Sequence, residues 1–146
     1  GEIALPAPLA AHAAQRLDWP QPCVALGLAL RGVASAAIDV SDGLLADLGH
    51  VCAAGGVGAG LDLAALPLPD GVLALASPDE LLGSGDDYEL CFTVPAAHEA
   101  AVSAVAAQLQ LTLTRIGQIE PEPGLRLVDA DGAVRSVEMR GHDHFR

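Results

Sequence analysis

Two acidic residues three positions apart form the first group of side chains that could carry chemistry. They are Asp39 and Asp42, with Ser41 between them and Gly43 directly after them. Hard cations such as Mg²⁺ take oxygen ligands, so two carboxylates around a turn could face one metal and phosphate cluster. Ser41 could bind a phosphate, and Gly43 permits close approach of another backbone. The structural alternative is that Ser41 or Asp42 caps a helix and Asp39 is a solvated strand end.

A second acidic group, with the sequence GSGDDYEL, occupies residues 83–90. Asp86, Asp87 and Glu89 place three carboxylates within four positions, which is costly unless water, a cation or a polar ligand offsets their repulsion. The alternative is an ordinary solvent-exposed turn. We expect Tyr88 to be a core residue whose hydroxyl makes a hydrogen bond.

The third group is GHDHF at residues 141–145. Its alternating His142 and His144 could bind a transition metal from a strand, but two ligands without a third nearby are a weak signal, and a frayed tail is the alternative. The glycine-rich segment 55–60 follows a helical pattern and lacks the spacing of a dinucleotide-binding loop. That segment indicates a helix end and a turn.

The elements that position the first two groups follow from the apolar pattern. The run 34–40 predicts a buried strand, and apolar residues recur with helical spacing at Leu44, Leu45, Leu48, Val51 and Cys52. Residues 39–43 are therefore a predicted turn from strand to helix. Alternation over 88–94 predicts a second strand, entered by the second acidic group. Further helices are predicted at 9–17, 24–30 and 95–109, with an irregular helical stretch at 71–82, and further strands at 59–63, 111–119, 125–128 and 134–137. This mixed order predicts the α+β class.

Composition excludes several kinds of function. Of 146 residues, 51% are apolar, enough for a hydrophobic core, and the net charge of −12 would repel nucleic acid and bare polyphosphate. The chain has no lysine, which excludes a Walker-A loop and Schiff-base catalysis. No apolar stretch approaches the roughly 20 residues of a membrane span. The three cysteines have apolar neighbours and indicate buried thiols in a reducing cytoplasm.

Taken together, the motifs resemble those of the thiamine-monophosphate kinase family. The resemblance lies in AIDVSDGL at 37–44, GDDYELCFT at 85–93, IG at 116–117 and GHDHF at 141–145, with 25–38 similar to the lead-in of that family's second domain. It implies a kinase that transfers the ATP γ-phosphate to thiamine monophosphate with the help of Mg²⁺. The fold it implies is α+β, a mixed sheet packed with helices as in the carboxy-terminal domain of aminoimidazole ribonucleotide synthetase.

The resemblance also implies roles for five residues. Asp39 and Asp42 match metal ligands, and Ser41 matches a residue that contacts ATP. Asp86 matches an acidic residue that contacts thiamine monophosphate, and His142 lies where the family commonly has an aromatic substrate contact. No residue of this chain is matched to a catalytic acid, base or nucleophile.

Domain organisation follows from the same resemblance. Residues 1–21 are expected to be a lead-in helix and a Pro-rich connection, and 22–146 the carboxy-terminal domain. The family's amino-terminal domain, which supplies most metal-binding aspartates and the contact of a homodimer, has no match here, so the isolated chain is expected to be inactive. Two alternatives stay open. One is another superfamily member, of the selenophosphate synthetase or hydrogenase-maturation type, and the other is a stand-alone binding or scaffold module.

Overall fold

The computed structural model describes residues 6–19 and 21–137. Five α-helices lie in this part of the chain: α1 Ala7–Asp18, α2 Val24–Ala29, α3 Leu44–Gly55, α4 Pro78–Leu82 and α5 Glu99–Leu109. The strands in it are β1 Ala36–Val40, β2 Gly58–Asp62, β3 Glu89–Thr93, β4 Gly117–Glu120, β5 Gly124–Val128 and β6 Val134–Val137. Short 3-10 turns cover Leu63–Ala65, Val72–Ala74 and Ala96–His98. Within the described residues, no helix has both the length and the apolar character that crossing a membrane requires.

The strands form two sheets. The larger has the order β4-β2-β5-β6, in which β2 and β5 are parallel and the other pairs antiparallel. The smaller is the antiparallel pair of β1 and β3, in register at Asp39 opposite Leu90. A mixed sheet with helices is the predicted α+β fold, which the structure confirms.

Helix α3 provides much of the core. Its Leu45 and Leu48 are buried in one cluster with Leu61 of β2 and with Leu125 and Leu127 of β5. These apolar side chains leave water together, at about 1.5–3 kcal/mol for each fully buried leucine. Burial of this helix against the sheet fixes the position of its amino-terminal end and of the turn that leads into it.

Three predicted elements differ from the structure by more than two residues. The irregular helical stretch predicted at 71–82 divides into the 3-10 turn Val72–Ala74 and helix α4, Pro78–Leu82. The helix predicted to begin at Pro95 begins at Glu99, because Pro95 is extended and the His98 N–H closes a 3-10 turn onto the Pro95 carbonyl at 2.8 Å. The strand predicted at 111–119 begins at Gly117. Its partner β2 ends at Asp62 and turns into a 3-10 helix, so the ladder stops there despite the apolar alternation of 111–116.

The core assignment predicts a large effect of Leu127→Ala, because Leu127 has no solvent exposure. We expect a loss of about 2–5 kcal/mol in the free energy of unfolding, from lost burial and the cavity left behind. Urea unfolding of the chain measures it. The matched control is Val134→Ala, at a side chain that is 63% exposed, which should change stability by less than about 0.5 kcal/mol. Equal effects at the two positions would contradict the core assignment.

Candidate active site

The first acidic loop, residues 39–43, comprises the last two residues of β1 and the turn that leads into α3. Gly43 is the N-cap residue of α3, and no side chain makes a capping hydrogen bond there. The hypothesis that Ser41 or Asp42 caps the helix is therefore wrong. Gly43 has a φ of +112°, a conformation that favours glycine and redirects the chain into the helix.

The second acidic loop, residues 83–89, packs directly on the first. The Asp86 N–H donates to the Ser41 carbonyl at 2.9 Å, and the Tyr88 N–H donates to the Val40 carbonyl at 2.9 Å. A Cβ added at Gly43 would lie 2.8 Å from the Gly83 carbonyl carbon, and one added at Gly85 would overlap the Ser41 carbonyl oxygen. The two loops thus meet backbone to backbone, which only residues without a side chain allow.

The buried carboxylate of Asp47 holds the first loop through hydrogen bonds. Asp47 is 4% exposed, and its Oδ2 accepts the N–H groups of Ser41 at 2.9 Å and Asp42 at 3.1 Å. Asp47 also acts on Cys91 of β3. The pKa of the Cys91 thiol is raised to about 11, first by burial and then by the charges of Cys52 and Asp47. Sequence reasoning missed this residue. The available signal was an acidic side chain set within the apolar stripe of a predicted helix.

The second loop is held by α4 and by its own tyrosine. Ser77 and Glu80 form a reciprocal capping box at the start of α4, and Arg135 of β6 binds Asp79 of that helix with two hydrogen bonds of 3.1 and 2.6 Å. These contacts fix the helix that leads into residues 83–89. An ion pair this exposed contributes about 0–1 kcal/mol, so it mainly fixes position.

Tyr88 departs from the expectation that it is a core residue, since its side chain is 40% exposed. Its hydroxyl does make the expected hydrogen bond, donating to Asp86 Oδ1 at 3.0 Å. That bond, followed by the charge of Asp86, raises the pKa of the Tyr88 phenol above its ordinary value. Both residues have positive φ, 69° for Asp86 and 51° for Tyr88, a strained arrangement that persists only where surrounding contacts impose it.

The structure brings four of the five sequence-predicted site residues into the two contacting loops. Asp39 and Asp86 are exposed, and Ser41 and Asp42 are half-buried. His142, the fifth, lies outside the described residues. Among residues 6–19 and 21–137, no group of three or more His, Cys, Asp and Glu side chains is arranged to hold a metal ion. The described residues alone therefore do not form a complete metal site.

Comparison with known proteins identifies the family of this chain. A sequence model of the family "AIR synthase related protein, C-terminal domain" matches residues 12–130, more than half of the chain. The chain belongs to this family, which confirms the fold expected from the sequence.

Individual relatives point to a narrower class of proteins than the family model does. Thiamine-monophosphate kinase of Salmonella typhimurium is 43% identical over 136 residues, covering 90% of this chain and 42% of that protein. The crystal structure of thiamine-monophosphate kinase from Stenotrophomonas maltophilia superposes with a TM-score of 0.72 at 44% identity, covering 90% of this chain and 42% of that one. The structure of AaThiL complexed with AMPPCP and TMP has a TM-score of 0.74 at 27% identity, covering 97% and 43%. The chain thus spans less than half the length of the relatives it matches.

The close contact of the two loops predicts that Gly85→Ala destabilises the protein. The new methyl group would overlap the Ser41 carbonyl oxygen and push the loops apart, at about 1–3 kcal/mol. Gly27→Ala in α2 is the matched control, because a Cβ there meets nothing within 4 Å and alanine favours a helix by about 1 kcal/mol. Thermal melting of both variants measures the difference. A Gly85→Ala protein that melts like the wild type would show that the loops are not in contact.

Proposed function

We propose that this chain is the carboxy-terminal domain of a longer ATP-dependent kinase that phosphorylates thiamine monophosphate to thiamine diphosphate. The observation that carries the proposal is the contact between the two acidic loops, in a chain 43% identical to a thiamine-monophosphate kinase. The structure of AaThiL with AMPPCP and TMP supports ATP and thiamine monophosphate as the two ligands.

In this proposal, residues of the first loop hold Mg²⁺ and ATP. Asp39 and Asp42 are metal ligands, and their carboxylate oxygens are the donor type that Mg²⁺ prefers. Ser41, half-buried between them, contacts the ATP phosphates through its hydroxyl. When bound, Mg²⁺ would neutralise phosphate charge that a protein of net charge −12 otherwise repels. The chain's own contribution is to orient these groups and keep them in place.

The second loop contacts the phosphate acceptor. Asp86 is exposed and its carboxylate is oriented by the Tyr88 hydroxyl, so it can interact with the cationic thiazolium of thiamine monophosphate. His142, from the carboxy-terminal motif, covers the substrate from the position that is commonly aromatic in the family. Phosphoryl transfer by such a site needs no covalent intermediate on the protein, because positioning and charge neutralisation provide the rate enhancement.

The proposal includes the domain division expected from the sequence. Residues 1–21 connect to an amino-terminal domain that would supply further metal ligands and a homodimer contact, and 22–146 form the domain described above. The chain covers 42% of the Salmonella typhimurium kinase, which is consistent with a part of a longer protein. We place that protein in the cytoplasm, where ATP and reduced thiols occur together.

The two alternatives make different predictions for the full-length protein. A selenophosphate synthetase or hydrogenase-maturation type would hydrolyse ATP without phosphorylating thiamine monophosphate. A binding or scaffold module would bind ligand without turnover. Purified full-length protein, assayed with ATP, Mg²⁺ and thiamine monophosphate, distinguishes all three when two products are measured. The kinase forms thiamine diphosphate, the other superfamily types form ADP or AMP without thiamine diphosphate, and a module forms neither.

The first prediction from this proposal concerns the 146-residue chain alone. We expect it to fold, with cooperative thermal unfolding, but to form no thiamine diphosphate, because Asp39 and Asp42 supply only part of a metal site. The full-length protein is the positive control in the same assay. Turnover by the purified chain alone would contradict the proposed division of the site.

The second prediction is for Asp42→Asn in the full-length protein. Asparagine keeps the shape and removes one negative charge, so a metal ligand is weakened. We expect a higher Mg²⁺ requirement and a kcat/KM lower by roughly two orders of magnitude, about 3 kcal/mol of transition-state stabilisation. The variant should still fold, because Gly43 and not Asp42 is the N-cap residue of α3.

The matched control for Asp42→Asn is Asp70→Asn. Asp70 is an exposed aspartate before the 3-10 turn Val72–Ala74, away from the two loops in sequence. The Asp70→Asn substitution removes the same charge from the protein and should leave both the kinetics and the Mg²⁺ requirement unchanged. Near-normal kinetics of Asp42→Asn at limiting Mg²⁺ would remove Asp42 from the metal site.

A further inference from the structure

Asp47 is a buried charged residue for which neither the sequence motifs nor the proposed function has a role. Its side chain is 4% exposed, the single buried charged side chain in the described part of the chain. Burial of a carboxylate is costly unless it is hydrogen-bonded, and here one oxygen, Oδ2, accepts two backbone N–H groups. The two hydrogen bonds that offset this cost both come from one short loop.

The two donors belong to Ser41 and Asp42, so Asp47 holds the segment that carries the proposed metal and phosphate ligands. The same segment then fixes the second loop, because the Ser41 carbonyl accepts the Asp86 N–H at 2.9 Å. A chain of hydrogen bonds therefore runs from the buried carboxylate, through Ser41, to Asp86 in the second loop. Asp47 itself lies one turn into α3, whose buried face fixes its place.

The direction of these hydrogen bonds also determines which ions the loop can bind. Successive backbone N–H groups between a strand and a helix commonly bind anions such as phosphate. Here the N–H groups of Ser41 and Asp42 are used by a carboxylate of the protein. The loop therefore cannot offer these two N–H groups to a phosphate while they are bonded to Asp47.

We propose that Asp47 is a positioning residue that locks residues 39–43 in the conformation that presents Asp39 and Asp42 to a cation rather than backbone amides to an anion. The proposal rests on the proposed function for its metal and nucleotide, but the loop-holding contact can be tested without activity. Asp47 acts through the backbone of Ser41 and Asp42, whose N–H groups its Oδ2 accepts.

The test compares three variants of the full-length protein. Asp47→Ala removes the acceptor, and Asp47→Asn keeps an accepting oxygen in nearly the same volume but without the charge. Asp62→Ala is the matched control, since Asp62 also accepts a backbone N–H, that of Ala64 at 2.9 Å, but at an exposed 3-10 turn. Hydrogen–deuterium exchange of the peptide that contains residues 41–42 and the Mg²⁺ concentration for half-maximal activity are measured for each.

For Asp47→Ala we expect exchange at residues 41–42 at least about tenfold faster than in the wild type, because two charge-assisted hydrogen bonds are lost. The half-saturating Mg²⁺ concentration should rise at least about fivefold, while kcat at saturating Mg²⁺ stays within about threefold, because misplaced ligands are recovered by mass action. Asp47→Asn should restore part of both effects, and Asp62→Ala should show neither.

The possible negative results contradict different claims. Active wild-type protein with an unchanged Mg²⁺ requirement in Asp47→Ala would overturn the positioning role and leave the proposed function intact. Wild-type protein without thiamine-monophosphate kinase activity would overturn the proposed function, and exchange at residues 41–42 would then decide the inference, with unchanged exchange rejecting it. If Asp47→Ala does not fold, Asp47→Asn decides, since its weaker hydrogen bonds should still raise the Mg²⁺ requirement by about twofold or more.

Discussion

The contact between the backbones of residues 39–43 and 83–89 is the constraint on which the rest of the site depends. Two hydrogen bonds, from Asp86 to Ser41 and from Tyr88 to Val40, continue the pairing of β1 with β3 beyond the end of the strands. The contact requires glycine at Gly43 and Gly85, because a Cβ at either position would meet backbone atoms of the opposite loop. Side chains that are over 40 residues apart in sequence are thereby placed on adjacent turns.

This contact also concentrates negative charge. Three arginines are used elsewhere, since Arg115 pairs with Glu99, Arg126 with Glu120 and Arg135 with Asp79. Bringing several carboxylates together in a protein of net charge −12 opposes folding, and a cation bound to the folded state offsets that cost by mass action. Under the proposed function, bound Mg²⁺ would offset this repulsion.

Sequence reasoning succeeded where a pattern is local. The turn from β1 to α3 followed from one apolar run and one helical stripe, and the class of the fold followed from the order of the elements. The pairing of β2 with both β4 and β5 joins distant segments, and alternation alone carries no information on it. For the same reason residues 111–116 were wrongly predicted as a strand: their pattern is suitable, but β2 turns away at Asp62.

The site shows a similar division. Asp39, Ser41, Asp42 and Asp86 were proposed from residue type, spacing and the family resemblance, and their roles stay predictions. The exposure of Tyr88 and the role of Gly43 as N-cap depend on a loop distant in sequence. Asp47 was missed because an acidic residue in the first turns of a helix ordinarily interacts with the helix dipole at the surface. Its burial follows from the turn before α3, which folds back over the helix so that its N–H groups reach the carboxylate.

The incomplete metal site has a consequence for how ligands would bind under the proposed function. Mg²⁺ requires close to octahedral coordination by six oxygens, and Asp39 and Asp42 can supply only some of them. The remaining oxygens would come from ATP phosphates, water and the rest of the longer protein. Each of these groups then binds better when the others are present, because each completes a coordination shell that the preceding ones leave open. Binding of Mg²⁺, nucleotide and the second domain would thereby be coupled, and the loops held by Asp47 would be the part of the site that is in place before any of them binds.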